Sequence, residues 1–241
     1  MSISAEMLSY QFLFIAIFFE SFVLVTFLSA PARESRKRSH MKGIAPTVAI
    51  IVPCFNEATT LARTVHSVLA LAYPAEKLSL ILVDDGSSDG TQGAMEQFRN
   101  HPQVTIIHKE NGGKHTALNA GITATEAELV GCLDADSEVA PNALTEIVAC
   151  FERPNIAATT AAMSVHKAKN MLQYMQHAEY ILGITWRHVF ASVNGLYVTP
   201  GPFSFYRREV VVKLGGFRYG HQAEDMEMAL RLQRAGYTIG N

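Results

Sequence analysis

The stretch LVGCLDADSE, residues 129–138, ends an apolar run in two carboxylates one residue apart, Asp134 and Asp136. On an extended backbone alternate side chains share a face, so both acids are expected to point the same way. Like charges that close raise each other's energy unless a cation or hydrogen-bond donors lie between them. Two other apolar runs close similarly: VAIIVPCFNE (48–57) ends at Glu57, and LILVDDGSSDGT (80–91) carries Asp84 and Asp85 where its hydrophobic part stops. Turn formation and helix capping account for Gly86 through Thr91, but not for two aspartates closing an apolar strand. A helix-capping loop before Pro141 would account for DADSE alone, but not for three acidic loops together. A divalent cation takes carboxylate oxygens directly and lets a diphosphate approach from its other side. That chemistry gives the acids a common purpose.

The elements that must position these residues are set by periodicity. TVAIIVP (47–53), LSLILVDD (78–85), VTIIH (104–108) and ELVGCLDAD (128–136) read as strands, bounded by Pro, Gly or Asp. TTLARTVHSVLAL (59–71), TQGAMEQFRN (91–100) and HTALNAGITAT (115–125) between them space apolar residues as helices do. Strands alternating with helices predict an α/β fold with a mostly parallel central sheet covered on both faces. Ligands of such sheets bind beyond the carboxyl ends of the strands, the rim where Glu57, Asp84, Asp85, Asp134 and Asp136 would gather. The glycine-rich NGGKHTALN (111–119) is not a Walker sequence, because His115 follows Gly-Lys where Ser or Thr is needed. Lys114 can still meet a phosphate as a point charge.

Composition sets outer limits. The 241 residues are 49% hydrophobic and 17% charged, enough for a sizeable core and unlike a disordered chain. A net charge of −2 gives no electrostatic case for nucleic acid. The three cysteines, Cys54, Cys132 and Cys150, have no CxxC spacing, and Cys132 reads as a small buried apolar residue. A reducing compartment is expected.

From Leu8 to Leu28 the chain is apolar over a length that crosses a bilayer core of roughly 30 Å. Glu20 within it costs roughly 3 kcal/mol near mid-membrane, whereas each Leu, Ile, Phe or Val returns roughly 0.3–0.6 kcal/mol, so insertion wins. No positive segment precedes the span, as a cleaved leader would require. The basic run RESRKRSHMK after it places the remainder of the chain in the cytoplasm and suits anionic headgroups. The expected organisation is a transmembrane helix (1–30), a basic linker (31–45), a half carrying the acidic rim (46–150) and a second half (151–241), with a single pass through an inner or plasma membrane. MLQYMQHAEYILGITWRHVF (171–190) is helical in spacing but too polar to span. It is expected to lie at the membrane surface or over a cleft, with Trp186 either stacking on the apolar face of a ligand or packing.

VAIIVPCFNE, LVDDGSSDGT, NGGKHTALN, LDADSEV, GPFSFYRREVVVKLGGF and AEDMEMALRLQRAGY stand in the order seen in family 2 glycosyltransferases. They resemble most the membrane-embedded processive branch that makes poly-N-acetylglucosamine, chitin oligosaccharides, hyaluronan and cellulose. The resemblance covers about residues 46–240 and implies that 46–150 is a nucleotide-sugar-binding half and 151–241 an acceptor-binding half with the general base. It implies the GT-A fold, a UDP-sugar donor, a glycan acceptor and a Mg²⁺ or Mn²⁺ ion. It implies that one or both of Asp84 and Asp85 hold uracil and ribose near Pro53 and Glu57, that Asp134 contacts the nucleotide, and that Asp136 binds the metal. Lys114 would serve the donor phosphates. The general base would be Asp225, in an AED triplet where the family usually has TED. Gly201, Phe203 and Ser204, with Glu224, would line the acceptor.

The same branch continues into a QxxRW segment and further membrane helices, whereas this sequence reaches Asn241 after RAGYTIG. Two expectations result. The chain is an inverting glycosyltransferase whose missing C-terminal segment a second chain supplies, or it is a non-catalytic nucleotide-sugar-binding fragment or partner subunit of a truncated synthase.

Overall fold

The computed structural model describes residues 5–29, 45–165, 168–192, 199, 202–220 and 224–240. Gly201 and nearly all of the basic linker lie outside them. In chain order the elements are α1 (Ala5–Ser29), β1 (Val48–Cys54), α2 (Leu61–Leu69), β2 (Leu78–Asp85), α3 (Thr91–Glu96), β3 (Val104–Lys109), α4 (Lys114–Thr123) and β4 (Leu129–Cys132). Next come α5 (Ala143–Cys150), β5 (Ile156–Thr160), α6 (Met171–Ser192), β6 (Ser204–Arg207), α7 (Arg208–Lys213), α8 (Glu224–Arg234) and β7 (Thr238–Gly240). The strands form one seven-stranded sheet in the order β3-β2-β1-β4-β6-β5-β7. Every pairing is parallel except those of β6, which runs against both β4 and β5.

The centre of the sheet is the driest part of the molecule. Ile50, Ile51 and Val52 of β1 and Leu80, Leu82 and Val83 of β2 have no exposed surface, which is why these strands read as continuous apolar runs. Pro53 sits in this central strand without breaking the ladder. Ile51 turns its carbonyl toward β4 and accepts the Leu133 N–H at 3.0 Å. Two residues later Pro53 faces the same side, where β4 has already ended at Cys132, so its missing N–H forfeits no strand bond. Gly131 of β4 lies opposite Phe205 of β6, and a Cβ there would stand 2.4 Å from the Phe205 ring. The bare backbone lets an aromatic ring lie flush on the sheet.

The expected strand 128–136 is shorter in the structure. It ends at Cys132, and Asp134–Ser137 form a turn closed by the Ser137 N–H donating to the Asp134 carbonyl at 3.1 Å. Asp134 and Asp136 therefore do not share the face of an extended strand; the turn orients them. Thr64 of α2 holds that turn by donating its hydroxyl to the Ala135 carbonyl at 2.8 Å. The three cysteines are buried.

By packing, the chain divides into two units. One holds the sheet with its covering helices, residues 39–163 and 196–241, and draws strands from both expected halves. The other comprises residues 1–38 and 164–195, and its described elements are α1 and α6. In it Trp186 stacks on Phe19 of α1 and on Phe190, with ring centroids 6.0 Å apart in both pairs. Trp186 thus takes the packing role of the two expected for it.

Candidate active site

At the carboxyl ends of β1, β2 and β4 a cavity of about 360 Å³ opens, within the range of small-ligand sites. Pro53, Phe55, Glu57, Asp85, Asn111, Lys114, Asp134 and Asp136 are among its walls. A second cavity of about 220 Å³ is lined by Leu118, Cys132, Pro202, Ser204, Tyr206, Phe217, Glu224 and Asp225. The two share Lys114 and Asp134.

The loops around the first cavity are tied to one another. Asn56 adopts a left-handed φ of 59°, a conformation that Asn tolerates better than most residues. Its side-chain oxygen accepts the Ser88 N–H at 2.9 Å, while its own N–H donates to the Ser87 hydroxyl at 3.0 Å. The Glu57 N–H donates to the Thr91 hydroxyl at 2.8 Å, and the Ala58 N–H donates to Asp89 at 3.3 Å. The Ser and Asp run after β2 thus laces two rim loops together.

Asp84 and Asp85 divide their labour. Asp84 is fully buried and receives the Ser87 N–H at 3.0 Å, the Gln92 amide at 2.8 Å and His108 Nδ1 at 3.3 Å. Burial pushes its carboxyl up, but the hydrogen bonds from Ser87, Gln92 and His108 outweigh that and hold it below the usual value. It braces the β2 loop and is not among the cavity walls. Asp85 is a wall residue that accepts the backbone N–H groups of Gly112 at 3.1 Å and Gly113 at 2.8 Å and pairs with Lys109. Gly113, at φ +89°, makes the turn that presents its N–H and starts α4. Lys114 comes next and pairs with Asp134. Burial pulls the Lys114 ammonium down, and the attraction of Asp134 overrides this, leaving it above its ordinary value and charged.

The antiparallel course of β6 brings the second cavity to the same rim. Ser204 pairs with Cys132 at the carboxyl end of β4, so Pro202 and Phe203 enter from the rim side. Phe203 is buried, packing edge-on to Phe205, and Ser204 lines the cavity. Glu224 and Asp225 open α8 at this cavity. α8 is held by Arg231, which donates to the carbonyls of Leu214 at 2.6 Å and Gly216 at 2.7 Å and pairs with Glu227. The Tyr206 hydroxyl, buried and with its pKa pushed up by that burial, lies 2.8 Å from the Thr199 hydroxyl and 3.3 Å from that of Ser204. The Thr199 hydroxyl also reaches the Asp225 carbonyl at 3.1 Å. Burial raises the Cys132 thiol to about 12, so at neutral pH the cavity wall carries a thiol rather than a thiolate.

Several contributors went unmarked in the sequence. Asn119 brackets Phe217 as a strand neighbour would: its amide donates to the Phe217 carbonyl and its oxygen accepts the Phe217 N–H, both at 2.8 Å. Its place inside the NGGKHTALN motif was the available signal. Phe55, half-exposed on the first cavity, and Tyr206, behind the second, had only their motif positions to single them out.

Among the described residues no three His, Cys, Asp or Glu side chains gather as a metal cage. Asp136 is an exposed cavity carboxylate, and the adjacent Ser137 donates its hydroxyl to it at 3.3 Å. A hard cation held by one or two carboxylates, with the remaining oxygens supplied by a diphosphate and water, asks no more of the protein. The residues fit such an ion.

A mostly parallel sheet with two adjoining acidic cavities on its carboxyl rim is an α/β domain that binds its ligand at the strand ends. Residues 49–215 match the profile described as Glycosyl transferase family 2, and the chain belongs to that family. It is 27% identical over 213 residues to the beta-monoglucosyldiacylglycerol synthase of Trichormus variabilis, covering 86% of this chain and 46% of that protein. It is 30% identical over 198 residues to the poly-beta-1,6-N-acetyl-D-glucosamine synthase of Staphylococcus aureus, covering 80% and 47%. The chain thus spans about half the length of these relatives. Its fold is shared with the mannosyltransferase PcManGT of Pyrobaculum calidifontis in complex with GDP-Man and Mn²⁺, at a TM-score of 0.70, 24% identity and coverage of 92% and 62%. It is also shared with S. aureus TarS 1-349 in complex with UDP-GlcNAc, at a TM-score of 0.59, 18% identity and coverage of 77% and 53%. These likenesses show a GT-A glycosyltransferase fold.

Proposed function

We propose that this chain transfers a sugar, N-acetylglucosamine or a close relative, from a UDP-sugar to a polysaccharide or oligosaccharide with inversion at the anomeric carbon. The observation that carries the reading is the pair of adjoining cavities, one containing Asp136 and the other Asp225, with Lys114 and Asp134 common to both. The UDP-GlcNAc bound to TarS and the poly-N-acetylglucosamine synthase among the relatives support the choice of donor.

In this reading the first cavity takes the nucleotide. Pro53, Glu57 and Asp85 face base and ribose, and Phe55 offers them an apolar ring. Asp136, with Asp134 beside it, would hold Mg²⁺ or Mn²⁺, which when bound neutralises charge on the departing diphosphate. Lys114 adds a fixed positive charge where the two cavities meet. The acceptor hydroxyl enters the second cavity, flanked by Ser204 and Glu224, and Asp225 accepts its proton as the new bond forms. One in-line displacement inverts the anomeric centre. The apolar α1 and the basic run after it support a single membrane pass with the sheet unit in the cytoplasm.

Calorimetric titration of UDP into detergent-purified protein tests the donor site. Binding that requires Mn²⁺ and is lost in Asp136→Ala is expected. Folded wild-type protein that takes up no UDP with Mn²⁺ present would overturn the assignment of the first cavity.

A further inference from the structure

Three hydroxyls on one face of α2 reach the loops of the first cavity. Thr60, just before the helix, and Thr64 and Ser67 within it are spaced i, i+4 and i+7, which makes them neighbours on one side. A helical threonine out of water ordinarily returns its hydroxyl to a carbonyl one turn back. Thr64 has no exposed surface, yet it sends its hydroxyl to the Ala135 carbonyl at 2.8 Å. Thr60 donates to the carboxylate of Glu57, a wall of that cavity, at 2.6 Å. Ser67 donates to the Thr64 carbonyl at 2.8 Å and accepts the Val139 N–H at 3.2 Å.

The loop from Asp134 to Pro141 is stitched to α2 along its length. Thr64 holds Ala135, Arg63 pairs with Glu138 at 3.5 Å, Ser67 holds Val139, and the Ala72 N–H just past the helix donates to the Pro141 carbonyl at 2.7 Å. The exposed Arg63–Glu138 pair adds little. The Thr64 bond lies in the dry interior, where losing it leaves a carbonyl unsatisfied. Its place in the chain matters as much as its burial. The Ala135 carbonyl belongs to the peptide that leads into Asp136, so fixing it fixes the direction in which Asp136 leaves the turn. Asp134 has a separate hold through Lys114. The Asp136 carboxylate receives the hydroxyl of its neighbour Ser137 at 3.3 Å, a contact that travels with the turn and cannot orient it. The aim of Asp136 is therefore set through the backbone, at Ala135.

We propose that Thr64 is a positioning residue for the cation: through the Ala135 carbonyl its hydroxyl aims the Asp136 carboxylate into the first cavity, while Ser67 fixes the far end of the same loop. The proposal rests on the reading of Asp136 as the residue that holds Mg²⁺ or Mn²⁺. Neither Thr64 nor Ser67 is among the residues lining that cavity, so both act through the loop they hold.

Thr64→Val keeps the branched shape, deletes the hydroxyl and leaves the Ala135 carbonyl without its donor, whereas Thr64→Ser keeps the hydroxyl. Calorimetry on the detergent-purified chain compares UDP in the presence of Mn²⁺ with uridine in its absence. Thr64→Val is expected to weaken Mn²⁺-dependent UDP binding roughly tenfold or more, the cost typical of losing a partner behind a metal-bound carboxylate, and to leave uridine binding unchanged. Thr64→Ser is expected to bind UDP as the wild type does. Ser67→Ala, at a half-buried position, is expected to weaken UDP binding several-fold with the same selectivity. If Thr64→Val does not fold, Ser67→Ala decides, and unchanged UDP binding in it overturns the proposal. A folded Thr64→Val chain that binds UDP with Mn²⁺ as tightly as wild type would do the same. So would an equal weakening of UDP and uridine, the mark of a general loosening of the fold. Wild-type protein that takes up no UDP would instead overturn the reading of the first cavity, before any variant is compared.

Discussion

Lys114 Nζ meets the Asp134 carboxylate on the wall common to the two cavities, so one ion pair borders both of them. A cation held there can turn toward an incoming diphosphate without leaving the site. Lys114→Met is expected to weaken UDP binding about tenfold, roughly 1.4 kcal/mol, while leaving uridine binding unchanged. Isothermal titration of both ligands checks this. If the added change Asp134→Asn restored UDP affinity, Lys114 would serve only to neutralise its neighbour.

Asp225 opens α8 in the second cavity and is the one aspartate among its walls besides Asp134. Asp225→Asn keeps the shape and removes the basicity, so kcat should fall by about 10²–10⁴ while UDP affinity stays within about twofold. Radiolabelled sugar transfer and calorimetry give the two readings. Undiminished transfer would remove Asp225 from the mechanism.

Tyr206 reaches the same aspartate indirectly, through Thr199 and the Asp225 carbonyl. Tyr206→Phe retains the buried ring and deletes the hydroxyl, a loss of about 1 kcal/mol in stability. The informative quantity is kcat, which should drop with UDP affinity unaffected. A variant that is less stable yet turns over normally would make Tyr206 a packing residue only.

The buried Asp84 links folding to pH. Its carboxyl is held below the ordinary value by hydrogen bonds that its burial does not cancel. A carboxylate depressed in the folded state contributes stability that is present above the unfolded aspartate range, near pH 4, and is lost as pH falls through the folded value. Asp84→Asn should therefore cost about 1–3 kcal/mol at neutral pH and flatten the acid limb of a urea-midpoint profile. An unchanged acid limb would mean that another group carries that dependence.

Much of the sheet unit was legible in the chain. LSLILVDD became β2 at Leu78–Asp85, and the helices after β1, β2 and β3 began within two residues of where their spacing placed them. Such segments carry their own signal: an apolar run between breakers, or a 3.6-residue period, is a local property. The acidic rim was legible too, because parallel strands with helical crossovers put all their carboxyl ends on one side. The class of chemistry could be read from that rim and from six motifs in order.

The sequence left other matters to the fold. ELVGCLDAD looked like one long strand, yet β4 stops at Cys132, and a turn pinned by Thr64, 71 residues earlier, aims Asp134 and Asp136. Asp84 and Asp85 are adjacent and chemically identical; the pleat turns them to opposite faces, and the arrival of Gln92, His108 and the Gly112–Gly113 backbone made one a brace and the other a wall. Ser204 reached the rim because β6 runs antiparallel, and Asn119 seats Phe217 from 98 residues away. These contacts depend on which distant surfaces fill one another's space, a condition satisfied only when the whole core closes. Local pattern thus determined the first four strands in outline, the acidic rim and the apolar first helix; long-range packing added β5, β6 and β7 and decided which acids face the cavities and which only hold the loops in place.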